Sequence, residues 1–228
     1  MIVLGIETSG RAGSVAVSID GTLAGERDLT ASGRRHARTL VPEISDLLRS
    51  VNLGPRDVQA LAVSIGPGSF TGLRVGVVSA KTFAYAVGCP LIAVDSFLAV
   101  AWNDQQRNRL WVIDDALRGD LFAGLYVKEQ GEWRLEIPAT LRSLEEWRTT
   151  LTADDAVTGP GLLTLSGELP QWIAGTSDDW IPHARQVVRI GARLAAEAKF
   201  SDPWTLAPVY MRRSAAEEKA DQASATAS

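Results

Sequence analysis

The chain has 228 residues, is 46% hydrophobic and carries a formal net charge of −4 at neutral pH. These values are typical of a folded protein with one large domain or two lobes, and they exclude a surface that is basic throughout. If RNA is involved, we do not expect this chain to supply most of the phosphate contacts. The single cysteine excludes an internal disulfide. The sequence predicts neither a signal peptide nor a membrane span, so the cytoplasm is the simplest compartment.

The chain opens with three predicted strands and a polar turn. The apolar pattern predicts the strands Ile2–Ile6, Ser14–Ile19 and Thr22–Arg27. Asp20 and Gly21 predict a type I′ hairpin turn between the last two strands. The turn after the first strand contains Glu7, Thr8 and Ser9, whose polar groups make this turn a candidate binding loop.

An amphipathic helix is predicted next, from Arg34 to Val51. Apolar residues recur in it at three- and four-residue steps and form one stripe, which includes Leu40, Ile44 and Leu47. Pro42 removes one backbone hydrogen bond and predicts a kink. No histidine lies four residues after His36, so this helix lacks a metal-binding histidine pair.

The glycine-rich turn Gly66-Pro67-Gly68 follows a predicted strand, Ala60–Ile65, and precedes a predicted helix, Thr71–Val87. Free N–H groups at a helix N-terminus can bind an anion, so Gly66, Gly68 and Ser69 are candidate phosphate-binding residues. The glycine spacing matches neither the dinucleotide fingerprint nor a Walker loop. The alternative is a tight structural turn with close backbone packing.

The Thr71–Val87 helix is apolar around much of its circumference, which is typical of a helix buried in its own core or against another chain. Its residues Leu73, Gly76, Val77 and Ala80 are candidate contact residues. The small residues in it would let another helix approach closely, and self-packing explains them as well as a partner does.

We place a lobe boundary at the polar run near residue 103. The predicted organisation is a first lobe at 1–103, a second lobe at 104–213 and a disordered tail at 214–228. In the second lobe, strands Leu110–Ile113 and Leu121–Val127 flank an acidic loop, and Gly159-Pro160-Gly161 forms a second glycine turn. A helix predicted at Ala184–Phe200 can pack back on the first lobe.

The stretch from Gly66 to Gly76, GPGSFTGLRVG, resembles the signature of the TsaB (YeaZ) family. Further matches follow in order along the chain: Ile2–Ser9, His36 with Leu40 and Pro42, Asp115–Asp120, and Pro208–Arg212. Two positions depart from the family pattern. Glu7 stands where the family more often has aspartate, and Leu117 stands where an arginine is expected.

This resemblance implies an α/β protein with a two-lobed actin-like ATPase fold, which is ribonuclease H-like and has mixed sheets flanked by helices. It further implies a non-catalytic subunit of the bacterial machinery that makes threonylcarbamoyladenosine in tRNA. Such a subunit docks on the catalytic paralogue TsaD, and the ATPase subunit TsaE completes the complex. Two copies are expected to pair when the partner is absent, and tRNA is reached only through the complex.

The resemblance also assigns the candidate sites. The interface candidates lie on the first two helices: His36, Leu40, Ile44, Leu47, Leu73, Gly76, Val77 and Ala80. The candidate remnant of a phosphate site comprises Glu7, Thr8, Ser9, Gly66, Gly68 and Ser69. For Glu7, the alternative is a solvated turn residue. We expect this chain to require no cofactor or metal, whereas the assembled complex can bind ATP and magnesium.

Two other functions stay open. An ATP-dependent phosphotransferase of the actin and sugar-kinase superfamily would hold phosphates at Glu7–Gly10 and at the Gly66 turn. A peptidase is suggested by the old glycoprotease label of the family. The catalytic relatives carry a His-x-x-x-His metal pair, which this sequence lacks, and it also lacks the Gly-x-Ser-x-Gly elbow of serine hydrolases.

Overall fold

The structure, a computed structural model, describes residues 1–10, 12–29 and 36–211. The predicted tail at 214–228 and the predicted start of the first helix at Arg34 lie outside the described residues. His36 belongs to the first helix, but its side chain also lies outside what is described.

Five strands form the first sheet: β1 (Ile2–Glu7), β2 (Ser14–Ile19), β3 (Thr22–Asp28), β4 (Ala60–Gly66) and β5 (Leu91–Asp95). Their order in the sheet is β3-β2-β1-β4-β5. The first three strands pair antiparallel, whereas β4 runs parallel to both β1 and β5. Asp20 and Gly21 have φ angles of 50° and 79°, as expected for the predicted hairpin turn.

Four strands form the second sheet: β6 (Arg109–Leu117), β7 (Asp120–Glu129), β8 (Glu132–Ser143) and β9 (Val157–Thr158). Their order is β8-β7-β6-β9. The acidic segment predicted as a loop is mostly strand, because β6 and β7 continue to pair as far as Leu117 and Asp120. Positive φ angles at Leu117, Arg118 and Gly119 close this hairpin tightly. The prediction of a mixed α/β fold with two mixed sheets is confirmed.

The described residues form six α-helices around the sheets: α1 (His36–Ser50), α2 (Phe70–Val87), α3 (Ser96–Ala101), α4 (Leu144–Thr149), α5 (Leu162–Leu165) and α6 (Ala184–Ala196). The predicted helix Thr71–Val87 corresponds to α2, which starts one residue earlier. Ser69 caps its N-terminus by accepting the Gly72 N–H, and Gly88 ends it in the left-handed conformation.

Helices cover both faces of the first sheet. α1 and α2 pack over the side chains of Leu4, Ile6 and their neighbours, whereas α6 packs over the alternate residues, which include Val3 and Ala62. The approach of α6 is close, because a Cβ atom on Gly191 would lie 2.5 Å from the Cβ of Ala62. The last helix of the described chain therefore lies on the first sheet.

An apolar cluster and a hydrogen bond join the two sheets. Asp95, at the end of β5, caps α3 by accepting the backbone N–H groups of Phe97 and Leu98. The hydroxyl of Tyr126 on β7 donates to the same carboxylate at 2.7 Å. Burial raises the pKa of Asp95, although these hydrogen bonds oppose the shift. This contact joins the first sheet directly to the second.

No helix in the described ranges has both the length and the apolar character needed to cross a membrane.

Candidate functional site

The turn after β1 is built around the carboxyl group of Glu7. This residue is fully buried. One of its oxygens accepts the backbone N–H and the hydroxyl of Ser9, each at 2.5 Å, and the other accepts the hydroxyl of Ser64. The N–H of Gly10 donates to the same carboxylate. The interpretation of Glu7 as a solvated residue is wrong, because four donors hold the carboxylate inside the fold.

The electrostatics of Glu7 follow from this burial. Removal from water disfavours the charged form, and this raises the pKa of Glu7 above its usual value. The hydrogen bonds from Ser64, Ser9 and Gly10 favour the charged form and lower the pKa, but burial has the larger effect.

The glycines of the signature stretch pack against this turn at very short range. A Cβ atom on Gly68 would lie 2.5 Å from the carbonyl oxygen of Ser9, and one on Gly72 would lie 2.0 Å from the carbonyl oxygen of Thr8. A Cβ on Gly76 would lie 2.2 Å from the Thr8 hydroxyl oxygen. These approaches support the close-packing interpretation of the glycines.

Hydrogen bonds tie the same two segments together. The N–H of Ser69 donates to the carbonyl of Ser9 at 2.7 Å, and the hydroxyl of Thr8 donates to the carbonyl of Gly72 at 2.8 Å. The Ser69 N–H and the Gly72 N–H, two of the donors at the N-terminus of α2, are therefore already bonded within the chain.

Val209 and Tyr210, from the matching stretch Pro208–Arg212 near the C-terminus, lie against the other side of the glycine turn. The N–H of Val209 donates to the carbonyl of Ile65 at 2.7 Å, and a Cβ on Gly66 would lie 2.6 Å from the Val209 carbonyl oxygen. The ring of Tyr210 lies 4.5 Å from the ring of Phe70. Two motifs that are far apart in sequence thus form one packed unit.

A cleft of about 300 Å³ separates the two sheets. Ser9, Gly10 and Ser69 line it on the side of the first sheet, and Asp114 and Asp115 line it on the side of the second sheet. None of its lining residues, as far as the structure describes them, is a lysine or an arginine.

The second glycine turn borders the cleft and is also packed on backbone. A Cβ on Gly159 would lie 2.3 Å from the carbonyl oxygen of Ile113, and the N–H of Gly161 donates to that oxygen at 3.0 Å. Asp115 accepts the N–H of Leu117 and the hydroxyl of Thr164. Both acceptor oxygens of Asp115 are therefore already bonded within the chain.

The residues around the cleft can be compared with the needs of a nucleotide, which the expected actin-like fold implies. Phosphate groups need converging N–H donors and cationic side chains. The donors of the first turn bind Glu7 instead, and the opposite wall of the cleft carries the carboxylates Asp114 and Asp115. The residues present do not fit nucleotide phosphates, and the geometry gives no support to the phosphotransferase hypothesis.

The metal-binding requirement of a metallopeptidase is not met among the described residues. Within residues 1–10, 12–29 and 36–211, no three His, Cys, Asp or Glu side chains come together in a way that could hold a metal ion. His183 lies instead with its Nε2 atom 2.8 Å from the carbonyl oxygen of Asp178.

The interface candidates need a correction. Seven of them are buried in the core between α1, α2 and the first sheet: Leu40, Ile44, Leu47, Leu73, Gly76, Val77 and Ala80. The stripe that marks an amphipathic helix is its core-facing side, so these side chains have little surface left for a partner in the folded chain.

Other apolar residues of the same two helices are exposed. Val41 on α1 is 69% exposed, and Val78 and Tyr85 on α2 are 62% and 84% exposed. Val78 and Tyr85 are seven residues apart and so lie on one face of α2. The apolar character of α2 all round its circumference was the signal for this surface, which we call the α1/α2 face and define by Val41, Val78 and Tyr85.

Comparisons with known proteins agree with the sequence motifs. Residues 30–151 match the family model of TsaD, tRNA N6-adenosine threonylcarbamoyltransferase. The chain is 30% identical to the tRNA threonylcarbamoyladenosine biosynthesis protein TsaB of Bacillus subtilis, over 96% of this chain and 97% of that protein. It is 29% identical to TsaB of Escherichia coli, over 96% and 98% of the two chains.

Solved structures show the same relationship. YeaZ from Pseudomonas aeruginosa superimposes with a TM-score of 0.79 and 26% identity, covering 92% of this chain and 99% of that one. The predicted α/β architecture, with mixed sheets flanked by helices, is confirmed. The similarity extends over nearly the whole length, and the signature stretch and the C-terminal motif form one packed unit. The chain therefore belongs to the TsaB (YeaZ) family of tRNA threonylcarbamoyladenosine biosynthesis proteins.

Proposed function

We propose that this chain is a non-catalytic subunit in threonylcarbamoyladenosine biosynthesis and that it acts by docking on the catalytic paralogue TsaD. The α1/α2 face is the observation that carries this proposal. Val41, Val78 and Tyr85 are exposed on two helices that contact each other, and exposed apolar side chains of this kind are typical of a surface that a partner covers. The proposal that the chain is non-catalytic is supported by the cleft, where the polar groups around Glu7 and Asp115 are bonded within the chain.

The remaining features of the proposal rest on membership of the TsaB family. In the absence of TsaD, two copies of the chain pair through the α1/α2 face. TsaE joins the assembled complex, and tRNA is reached through that complex rather than through this acidic chain. ATP and magnesium serve the complex and are not required by this chain. The compartment we propose is the cytoplasm.

The experiment is sedimentation of the purified chain, alone and mixed with TsaD from the same organism. We expect a heavier species that forms at the expense of any homodimer. Val78→Glu places a charge on the α1/α2 face, which docking would bury, so the dissociation constant for TsaD should rise by at least about 30-fold.

Leu135→Glu is the matched control, because Leu135 is exposed on β8 of the second sheet. This variant should bind TsaD like the wild type. A chain that never binds TsaD would contradict the proposed function. Equal binding by wild type and Val78→Glu would instead remove the α1/α2 face as the docking surface.

A further inference from the structure

The turn between β1 and β2 has the geometry of an anion site. The N–H groups of Ser9 and Gly10 and the hydroxyls of Ser9 and Ser64 converge on a single group. Convergent donors of this kind form the concavities that bind phosphate or carboxylate groups in proteins.

Its position in the sheet is also that of a binding site. The turn follows the carboxyl end of β1, and Ser64 lies near the carboxyl end of the parallel strand β4. Ligands of open sheets bind outside the carboxyl ends of parallel strands. Ser9 and Gly10 both line the cleft, so the donors lie at its inner wall.

The group on which these donors converge is a side chain of the protein itself. We propose that the Glu7–Gly10 turn is an anion site that the chain fills with the carboxyl group of Glu7, and that this internal anion closes the cleft to nucleotide phosphates. This inference goes beyond the docking proposal and does not depend on it.

The occupied donors and the nearby carboxyl groups both support the proposal that Glu7 closes the cleft to phosphates. The Glu7 carboxylate is inaccessible to solvent, and its oxygens already accept the converging donors. A phosphate could use these donors only if Glu7 left the site. When Glu7 is ionised, it also repels a second anion strongly, because like charges at close range interact most in a poorly solvated site. Asp114 and Asp115 on the facing wall add to this repulsion.

The size of the group that Glu7→Ala removes determines which ligand can take its place. Glu7→Ala removes a methylene and a carboxylate, which together correspond to acetate. The vacated site should therefore take small carboxylates, with acetate as the best match in size and formate as a smaller one. Inorganic phosphate tests whether a larger anion can enter once the internal one is gone.

The experiment is chemical rescue of the full-length Glu7→Ala chain. We expect this variant to melt at a lower temperature than the wild type, and we expect added acetate to raise its melting temperature in a saturable way. The rise should exceed that in sodium chloride of equal ionic strength by at least about 3 °C. The wild type should respond equally to acetate and chloride.

Val63→Ala is the matched control, because Val63 is a fully buried residue of β4 beside Ser64 and its truncation leaves an apolar gap. It should show no preference for acetate over chloride. If Glu7→Ala responds to acetate no more than Val63→Ala does, the anion-site assignment is overturned.

A measurement on the wild type covers the case in which Glu7→Ala does not fold. The backbone amide resonances of Ser9 and Gly10 should show no saturable shift on addition of magnesium-ATP or inorganic phosphate. A saturable shift of these two amides would overturn the closure. Neither experiment involves TsaD, so failure of this inference and failure of the docking proposal are separate results.

Discussion

The cleft and the α1/α2 face differ in how far their binding groups are used within the chain. In the cleft, the donors around Glu7 and the acceptors of Asp115 bond to neighbouring residues. On the α1/α2 face, Val78 and Tyr85 stay exposed although the core beneath them is complete. The difference teaches that a signature motif can be conspicuous for structural reasons, while the surface that we propose for a partner carries no motif of its own.

The largest expected effect tests whether the cleft turn is as tightly packed as this comparison requires. In Gly72→Ala, the new methyl group would lie 2.0 Å from the backbone carbonyl oxygen of Thr8, which cannot move without displacing β1. We expect the free energy of unfolding to fall by about 3 kcal/mol, measured by urea denaturation.

Gly167→Ala is the control, because nothing lies within 4 Å of a Cβ at that position. Its stability should change by no more than about 0.5 kcal/mol. If Gly72→Ala were as stable as this control, the signature turn would have room to spare, and the phosphate-binding interpretation would return.

A smaller effect concerns the protonation of Glu7. Because burial raises the pKa of Glu7 in the folded chain, the folded state binds this proton more tightly than the unfolded state does. The resulting stabilisation is fully present below the usual pKa of 4.5 and is lost as the pH rises through the higher pKa of the folded state.

Glu7→Gln has no titrating group at this position, so it serves as the reference for the pH dependence of the wild type. The unfolding free energy of the wild type, taken relative to Glu7→Gln, should decrease as the pH rises from 4.5 toward neutrality. Urea denaturation at a series of pH values measures it. The same pH dependence in both chains would show that Glu7 titrates as it does in the unfolded state, contrary to its burial.

Much of the fold could be predicted because it depends on local patterns. Apolar runs located the strands of the first sheet, and the residues around Gly66 located the turn into α2. The end of α2 followed from Gly88, whose left-handed conformation few other residues adopt. Each of these features is set by residues within a few positions of one another.

The environment of Glu7 could not be predicted in this way. Its partner Ser64 lies 57 residues further along the chain, and only the parallel pairing of β1 with β4 brings the two together. The contact between Asp95 and Tyr126 depends likewise on how the two sheets pack. Distant pairs of this kind leave no periodic pattern in the sequence.

The exposed residues that we propose for docking were not predicted, for a different reason. Periodicity identifies the apolar side of a helix, and that side faces the chain's own core, as Leu40 and Val77 do. A partner contacts what is left on the outside. The useful pattern was the surplus of apolar residues on α2, which includes Val78 and Tyr85 beyond the core stripe.

Hydrogen–deuterium exchange of this chain, with and without TsaD, compares both regions in one measurement and tests the central claim most directly. We predict that TsaD slows exchange of backbone amides in α1 and α2. The amides of Glu7–Gly10 and Gly159–Gly161, at the cleft, should exchange at unchanged rates. Protection confined to the cleft turns, with none in α1 and α2, would contradict the account.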